Sequence, residues 1–267
     1  MRSAVWLPLF DELADPRVVA DLAVEAEDAG WDGFFVWDQL AWRAPVTAVA
    51  DPWVCLAAAA AVTSRVALGP MVSPLARRRP TKVARETVSL DRLSGGRLIL
   101  GVGVGSDSFA AEYSRTGEPV RDRTRAELLD ESLEILRSAW TGEPVRHHGP
   151  HHVVDGIAFL PTPVRGHIPV WVAAFPGNQR PLRRAARHDG VFPVNLTSPD
   201  QLAEAVAQVD ALRTDRARPY DVAIELVPGA DPAPWVAAGA TWVFTDVDPA
   251  TLRLDAVRRM VRAGPSA

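Results

Sequence analysis

Apolar residues along the chain follow two alternating patterns. Short stretches that are apolar at successive positions predict strands covered on both faces. Between them, apolar residues recur every three or four positions, as in the stripe of Leu129, Leu133 and Leu136, which predicts amphipathic helices. Eight strands are predicted, at residues 4–7, 33–37, 66–72, 97–102, 169–173, 190–194, 222–226 and 241–245.

Five predicted helix starts carry the same signal, an Asp or Ser followed by proline. The side-chain oxygen of the first residue caps the helix, and proline fits the first helical position because it has no N–H to leave unpaired. Eight strands, each followed by a helix or helix-like segment, predict an α/β fold, the (β/α)8 TIM barrel. A doubly wound open sheet is the alternative, but it seldom needs eight units. We expect one barrel domain over residues 1–267. The signals are Asp15-Pro16, Asp51-Pro52, Ser198-Pro199, Asp231-Pro232 and Asp248-Pro249.

The alternation breaks at residues 141–168, which contain turn residues and short β-like stretches but no helical period. We interpret this segment as an insertion near the C-terminal face, a hairpin over the barrel mouth. Within it, the run from His147 to His152 holds four of the six histidines. Because Gly-Pro between the two histidine pairs signals a turn, an exposed hairpin is favoured. A substrate-facing lid and a metal site are the alternatives.

Composition narrows the class of protein. The net charge of -4 gives no general electrostatic reason to bind nucleic acid. No stretch reaches membrane-spanning length and the N-terminal apolar run is too short for a signal peptide, so we expect a cytoplasmic protein with no membrane partner. Cys55 is the only cysteine, which excludes an internal disulfide or a multi-thiolate metal site. Lys82 is the only lysine, which leaves almost no candidate for a Schiff base.

Three glycines occupy alternate positions at the end of the fourth predicted strand: Gly101, Gly103 and Gly105. Either the backbone turns sharply there, or its amides come close to a planar ring or a phosphate. The dinucleotide motif GxGxxG is a further alternative, but the sequence here is GVGVGS and no helical pattern follows at once.

Polar groups also follow the second predicted strand. Asp38 and Gln39 come after the second strand, between Trp37 and Trp42, which suits recognition of a flat heterocycle with hydrogen-bonding edges. The alternative is a helix cap among core tryptophans.

A loop rich in Gly, Asn and Pro follows the strand at 169–173 and leads into an arginine-rich helix. Backbone amides at such a helix start favour anions, so this loop is a candidate anion site. Equally, Arg180, Arg183 and Arg184 fit a solvated surface.

In their order and spacing, six segments of the chain together resemble the bacterial luciferase-like family of flavin- and deazaflavin-dependent oxidoreductases. They read AEDAGWDGFFVWD, AAVTSRVALGPMVSP, RRRPTKVARETVSLDRLSGGRLILGVGVG, IPVWVAA, RRAARHDGVFP and AGATWVF. The resemblance implies a (β/α)8 barrel with FMN or the deazaflavin F420 at the carboxyl ends of the strands. It also implies two-electron chemistry on a small organic substrate, with oxygen as the first acceptor in the monooxygenases. Many members form dimers, so a homodimer is open.

The resemblance assigns residues as well. It makes Asp38 and Gln39 the catalytic candidates, because members place an acidic residue near the flavin ring and commonly a histidine after it. Gln39 departs from that pattern, since an amide cannot titrate near neutrality. The segment Met71, Val72 and Ser73 matches a bulge behind the ring that often holds a cis non-proline peptide.

The remaining cofactor-binding candidates come from two loops. Gly103 and Gly105 match the loop beside the cofactor, and residues 173–180 match its phosphate region. In that region, alanines stand at 173 and 174 where members often have glycine. A non-catalytic flavin-binding barrel and, on the histidine run alone, a metal-dependent hydrolase are the alternative functions. The candidates in the phosphate region are Ala174, Gly177, Asn178, Gln179 and Arg180.

Overall fold

Nine strand segments form one sheet of parallel strands in the computed structural model, which describes residues 1–265. The neighbour order in this sheet is β3-β2-β1-β11-β10-β9-β8-β5-β4, and β6 pairs with β7 in a separate hairpin. The strands are β1 (Arg2–Leu7), β2 (Gly33–Val36), β3 (Ala67–Pro70), β4 (Ser73–Pro74), β5 (Leu100–Gly103), β6 (Pro144–His148), β7 (Val153–Ala158), β8 (Val170–Ala174), β9 (Gly190–Pro193), β10 (Asp221–Leu226) and β11 (Trp242–Asp246).

Helices follow the strands and cover the outside of the sheet. The three short 3₁₀ turns are Asp11–Leu13, Leu75–Arg77 and Pro249–Thr251. The α-helices are α1 (Pro16–Asp28), α2 (Pro52–Val62), α3 (Pro80–Leu93), α4 (Glu112–Thr116), α5 (Asp122–Ala139), α6 (Gln179–Ala185), α7 (Pro199–Leu212), α8 (Ala233–Ala237) and α9 (Leu254–Ala263).

The sheet closes into the expected (β/α)8 barrel. All eight predicted strands are present, and the third is divided into β3 and β4 by Met71 and Val72, whose peptide bond is cis. β4 pairs with β5, and a parallel bridge between Leu68 and Leu98 joins the two ends of the sheet. Because the strands are parallel, all their carboxyl ends meet at one face, where such barrels carry their sites.

The predicted capping signals are confirmed. The side chains of all five capping residues accept a backbone N–H two or three positions further on, as Asp51 does from Val54 at 2.9 Å. The turn after Asp248 is a 3₁₀ turn, not the α-helix that the other signals begin. These caps fix where the chain leaves each loop at the carboxyl face.

Large aromatic side chains fill the inside of the barrel. Phe35, Trp171, Trp242 and Phe244 are fully buried, with ring centroids 4.8–6.4 Å apart. The apolar faces of the helices pack around the outside of the sheet in a second, larger cluster. The barrel centre is therefore a packed core, and a large cavity opens at the carboxyl ends of the strands.

The hairpin over residues 141–168 is confirmed, but it packs on α5 and does not cover the mouth. The carboxylate of Glu131 in α5 accepts the backbone N–H of His152 at 2.8 Å and that of His151 at 3.2 Å. The cavity at the mouth has no lining residue from this segment. The hairpin connects the far end of α5 to β8, which explains why it runs along the outside of the barrel.

Residues 1–265 lack two features of other classes of protein. No helix in this part of the chain has the length and apolarity needed to cross a membrane. In the same residues, no three His, Cys, Asp or Glu side chains converge as metal ligands would. The histidine run therefore gives no support to a metal-dependent hydrolase.

Candidate functional site

A cavity of about 1060 Å³ opens at the carboxyl ends of the barrel strands. Its volume is at the upper end of the roughly 300–1,000 Å³ usual for small-molecule sites. Its floor contains the rings of Trp6 and Phe192, and its walls come from the loops that follow the strands. Ten of the predicted site residues line it: Asp38, Gln39, Met71, Val72, Gly103, Gly105, Gly177, Asn178, Gln179 and Arg180.

Two predicted cofactor contacts lie outside the cavity wall. Successive residues of a strand point to opposite faces, so Ala173 faces the cavity while Ala174 is buried in the core with 1% exposure. Ser73 is fully buried beneath the wall, where its hydroxyl donates to the carboxylate of Asp38. Both assignments as direct contacts are corrected, and Ser73 instead supports a residue that does line the cavity.

Asp38 is held in a buried ion pair. Arg77 donates to Asp38 Oδ1 at 2.9 Å and to its backbone oxygen at 2.7 Å, and Arg78 lies 3.5 Å from Oδ2. The side chains of Asp38 and Arg77 are 1% and 3% exposed. With Ser73 also donating, the carboxylate has its charge and its lone pairs satisfied by protein groups, which suits positioning better than proton transfer.

Gln39 points its side-chain amide towards a second buried carboxylate, Glu112 of α4. Oriented with its nitrogen as donor, the amide lies 3.0 and 3.2 Å from the two oxygens of Glu112. The backbone N–H of Ala41 donates to Glu112 at 2.9 Å, and Arg77 Nε lies 3.8 Å from it. Glu112 therefore connects the loop after β2 to the loop after β5. One of its contacts is with Gln39, the residue that was predicted to face the cofactor.

The alternate glycines of β5 are required by neighbouring protein atoms. A Cβ at Gly103 would lie 2.9 Å from Val72 Cγ2, and one at Gly105 would lie 1.8 Å from Tyr113 Oη. Gly105 also has a φ of +71°, which glycine adopts at no steric cost. Both glycines face the cavity, as predicted. That a ligand comes close to them stays a prediction, and the contacts with Val72 and Tyr113 are a separate reason for glycine at these positions.

The candidate anion loop is open to the cavity. Gly177 has a φ of +73° with no atom within 4 Å of a Cβ built there, and Arg180 is exposed on the cavity wall. Arg184 lines the wall as well, but it is buried and pairs with both oxygens of Asp130 at 2.6 and 2.9 Å. These two arginines of α6 therefore differ. Arg180 is exposed to the cavity and can contact a ligand, whereas Arg184 is held by Asp130.

The opposite wall, after β10 and β11, holds carboxylates that form no ion pair within residues 1–265. Burial raises the pKa of Glu225, and the nearby Asp246 raises it further, although the N–H of Asn195 donates to Glu225 at 3.0 Å. Burial also raises the pKa of Asp246, with a smaller contribution from Asp248. All three carboxylates line the cavity. Glu225 and Asp246 can therefore hold a proton at a higher pH than ordinary carboxylates.

Sequence reasoning missed Arg77, Glu112, Glu225 and Asp246. Glu225 and Asp246 lie at the ends of predicted strands, and a polar residue at the carboxyl end of a barrel strand is a recognisable signal. Arg77 and Glu112 carried no such signal, because their partners lie 35 to 73 positions away along the chain and only the fold brings them together.

A closed parallel barrel with a cavity at the carboxyl ends of its strands is the arrangement found in (β/α)8-barrel enzymes. Within that class, the chain belongs to the luciferase-like monooxygenase family, whose sequence profile matches residues 3–238. An uncharacterized protein of Mycobacterium tuberculosis is 35% identical over 203 residues, 73% of this chain and 68% of that protein. An F420-dependent glucose-6-phosphate dehydrogenase of Nocardia farcinica is 32% identical over 161 residues, 60% of this chain and 48% of the dehydrogenase.

Solved structures agree with the fold. The coenzyme F420-dependent tetrahydromethanopterin reductase of Methanopyrus kandleri has a TM-score of 0.75 at 18% identity, with 98% of each chain covered. The monooxygenase RslO1 of Streptomyces bottropensis has a TM-score of 0.78 at 19% identity, with 98% of this chain and 97% of that chain covered. These likenesses confirm the barrel and extend over nearly its whole length.

Proposed function

We infer that the protein is an oxidoreductase or monooxygenase that uses reduced FMN or F420 for two-electron chemistry on a small organic substrate. The observation that carries this inference is the large cavity at the carboxyl ends of the strands in a chain of the luciferase-like family. Support also comes from a related dehydrogenase and a structurally similar reductase, both described as F420-dependent.

The lining residues fit a flavin or deazaflavin. On one wall Val72, Gly103 and Gly105 form a surface with few protruding atoms, which suits the face of a planar ring. Around the loop at Gly177 the residues are exposed, so the loop backbone and Arg180 can provide donors for a phosphate. FMN and F420 share a tricyclic ring and a ribityl phosphate, and this donor set serves either one.

The cofactor supplies two electrons, and the chain's own residues position the reactants. Trp6 Nε1 donates to the backbone oxygen of Met71 at 2.7 Å, which fixes the bulge behind the proposed ring position. Asp38 and Glu112, joined through Arg77, fix the loop that carries Gln39. Gln39 and Asp38 stay the predicted catalytic residues. Their contacts with Glu112 and Arg77 favour a role in holding the loop at the cavity over a role in moving protons.

The test is an equilibrium titration of purified protein with FMN and with F420, followed by absorbance. Gly177→Asp places a negative charge in the proposed phosphate loop and should weaken the binding of the cofactor at least about tenfold. The matched control is Gly30→Asp, because Gly30 also has a positive φ (+88°) and free space around it but lies between α1 and β2, away from the cavity.

The two variants separate the site from general effects on folding. Equal weakening in both would point to a loss of folded protein, which circular dichroism would detect. Unchanged affinity of Gly177→Asp for FMN and F420 would remove the phosphate site from this loop. No saturable binding of either cofactor to the parent protein would contradict the proposed function.

A further inference from the structure

Aromatic rings form a continuous path from the floor of the cavity to its rim. Trp6 lies 5.1 Å from Trp37, Trp37 lies 5.4 Å from Trp42, and Trp42 lies 4.9 Å from Phe109, all measured between ring centroids. All four rings line the cavity. Phe10, which is fully buried, supports Trp42 from behind at 5.4 Å. The path provides an apolar wall on the side of the mouth that follows β2.

The last contact of this path differs from the others. Trp42 and Phe109 are stacked with an interplanar angle of 15°, whereas Trp37 meets Trp42 nearly edge-on at 67°. Phe109 is 42% exposed, and Trp42 is its only aromatic neighbour among residues 1–265. A large apolar side chain in water gains by covering a ring, and two aromatic rings gain somewhat more by stacking. Phe109 therefore covers the Trp42 face while it stays partly exposed to solvent.

The two loops that carry the stacked rings do not depend on the stack. Trp42 lies between β2 and α2, and Phe109 lies between β5 and α4. Glu112 joins these loops below the rings by accepting the N–H of Ala41 and facing the amide of Gln39. Asp107 holds the second loop by accepting the N–H of Tyr113 at 2.8 Å. Phe109 can therefore leave Trp42 while both loops keep their positions.

We propose that Trp42 selects substrates with a flat aromatic group, which stacks on its indole in place of Phe109. This inference rests on the proposed function, because the cofactor-binding contacts assigned above follow β3, β5 and β8 and leave the part of the wall at Trp42 to the substrate. A near-parallel stack rewards a planar partner, while a saturated ring of the same size covers the indole less closely. Phe109 acts as the intramolecular occupant of the same position and lowers the affinity for every ligand that must displace it.

The experiment compares 2-naphthol with decahydro-2-naphthol, its saturated analogue, by calorimetric titration of the protein without cofactor. The parent protein should bind 2-naphthol about three- to tenfold more tightly, the size expected of one aromatic stack. Trp42→Leu should bring that ratio close to one. Phe109→Ala should bind 2-naphthol several-fold more tightly than the parent, because the indole face is already free.

The matched control is Phe175→Ala. Phe175 is 50% exposed and lines the same cavity, but it follows β8 and has no ring contact within the described part of the chain. Its removal should leave the ratio between the two naphthols unchanged. A parent-like ratio in Trp42→Leu, or weaker binding of 2-naphthol to Phe109→Ala, would overturn the proposal.

A parallel titration with FMN separates this inference from the proposed function. If Trp42→Leu loses FMN affinity and keeps the naphthol ratio, the indole belongs to the cofactor and the substrate proposal is wrong. If the parent binds neither FMN nor F420, the proposed function fails while the naphthol result still decides whether Trp42 selects flat ligands.

Discussion

The two walls of the cavity hold their carboxylates in opposite ways. On the wall after β2, Asp38 and Glu112 are buried with Arg77 between them, so their charges are neutralised within the protein. On the wall after β10 and β11, Glu225 and Asp246 are partly buried and have no ion-pair partner in the described part of the chain, and burial raises the pKa of both. The ion pairs of the first wall hold its loops in place. The carboxylates of the second wall can still bind a proton or a cation. One wall of the site therefore has a structural role, and the other can take part in chemistry.

The largest expected effect is on the paired wall. Asp38→Asn removes the charge nearest to Arg77, whose side chain is 3% exposed, and leaves the buried guanidinium with only the longer 3.8 Å contact to Glu112. Breaking a buried pair in this way costs about 3–5 kcal/mol. Guanidinium chloride denaturation of the variant and its parent measures the loss.

Asp246→Asn is the matched change on the opposite wall. The same substitution there removes a charge whose ionisation burial already opposes, so the free energy of unfolding at pH 7 should stay the same or rise. Similar losses in Asp38→Asn and Asp246→Asn would show that the two walls do not differ as described.

A smaller loss of stability should distinguish alanine substitutions at two glycines that have positive φ in the loops at the cavity. Gly105→Ala combines a φ of +71° with a Cβ that would lie 1.8 Å from Tyr113 Oη, so it should cost about 2–4 kcal/mol. Gly177→Ala has the same kind of φ (+73°) but free space, and should cost about 1 kcal/mol. Melting temperatures of the two variants test the order, and an equal cost would mean that Tyr113 moves away freely.

The smallest effect depends on pH. Because the folded-state pKa of Glu225 is raised by burial, its ionisation opposes folding at every pH above that raised value. Glu225→Gln keeps an acceptor for the N–H of Asn195, so at pH 7 it should melt about 2 °C higher than the parent. That advantage should disappear as the pH falls below the ordinary pKa of glutamate, near about 4.3.

For Glu27, which does not line the cavity, ionisation should have the opposite effect on the stability of the fold. Burial acts to raise its pKa, but backbone N–H donors from Val66, Arg65 and Ser64 outweigh burial and lower the pKa to about 2. Its ionised form therefore stabilises the protein at pH 7, and that contribution is lost as the pH falls towards 2. Glu27→Gln should melt lower than the parent at pH 7. A gain for Glu27→Gln or a loss for Glu225→Gln in the same pH series would contradict these signs.

The barrel was predictable because its signals are local. Apolar stretches, helical periods and Asp-Pro caps such as Asp51-Pro52 each depend on a few neighbouring residues, and all eight strands followed from them. The hairpin at 141–168 was predicted for the same reason. Its position was not, because packing on Glu131 of α5 is a contact between segments that no local pattern encodes.

The candidate site was predictable only in part. The wall residues Asp38, Gln39 and Gly103 were found because polar groups and glycines at strand ends stand out in the sequence. The roles of Arg77 and Glu112 depend on partners in other loops. Gly105 looked like a place for a ligand, and its contact with Tyr113 gives a reason within the protein that the spacing of glycines alone could not reveal.

Hydrogen exchange with and without saturating FMN or F420 tests most directly whether the cofactor binds on the glycine-lined side of the mouth. Binding there should slow the exchange of backbone amides at residues 103–106 and 177–180. Amides at residues 225–227 and 246–248, on the acidic wall, should change little. Protection confined to the acidic wall, or protection at neither wall, would contradict the account.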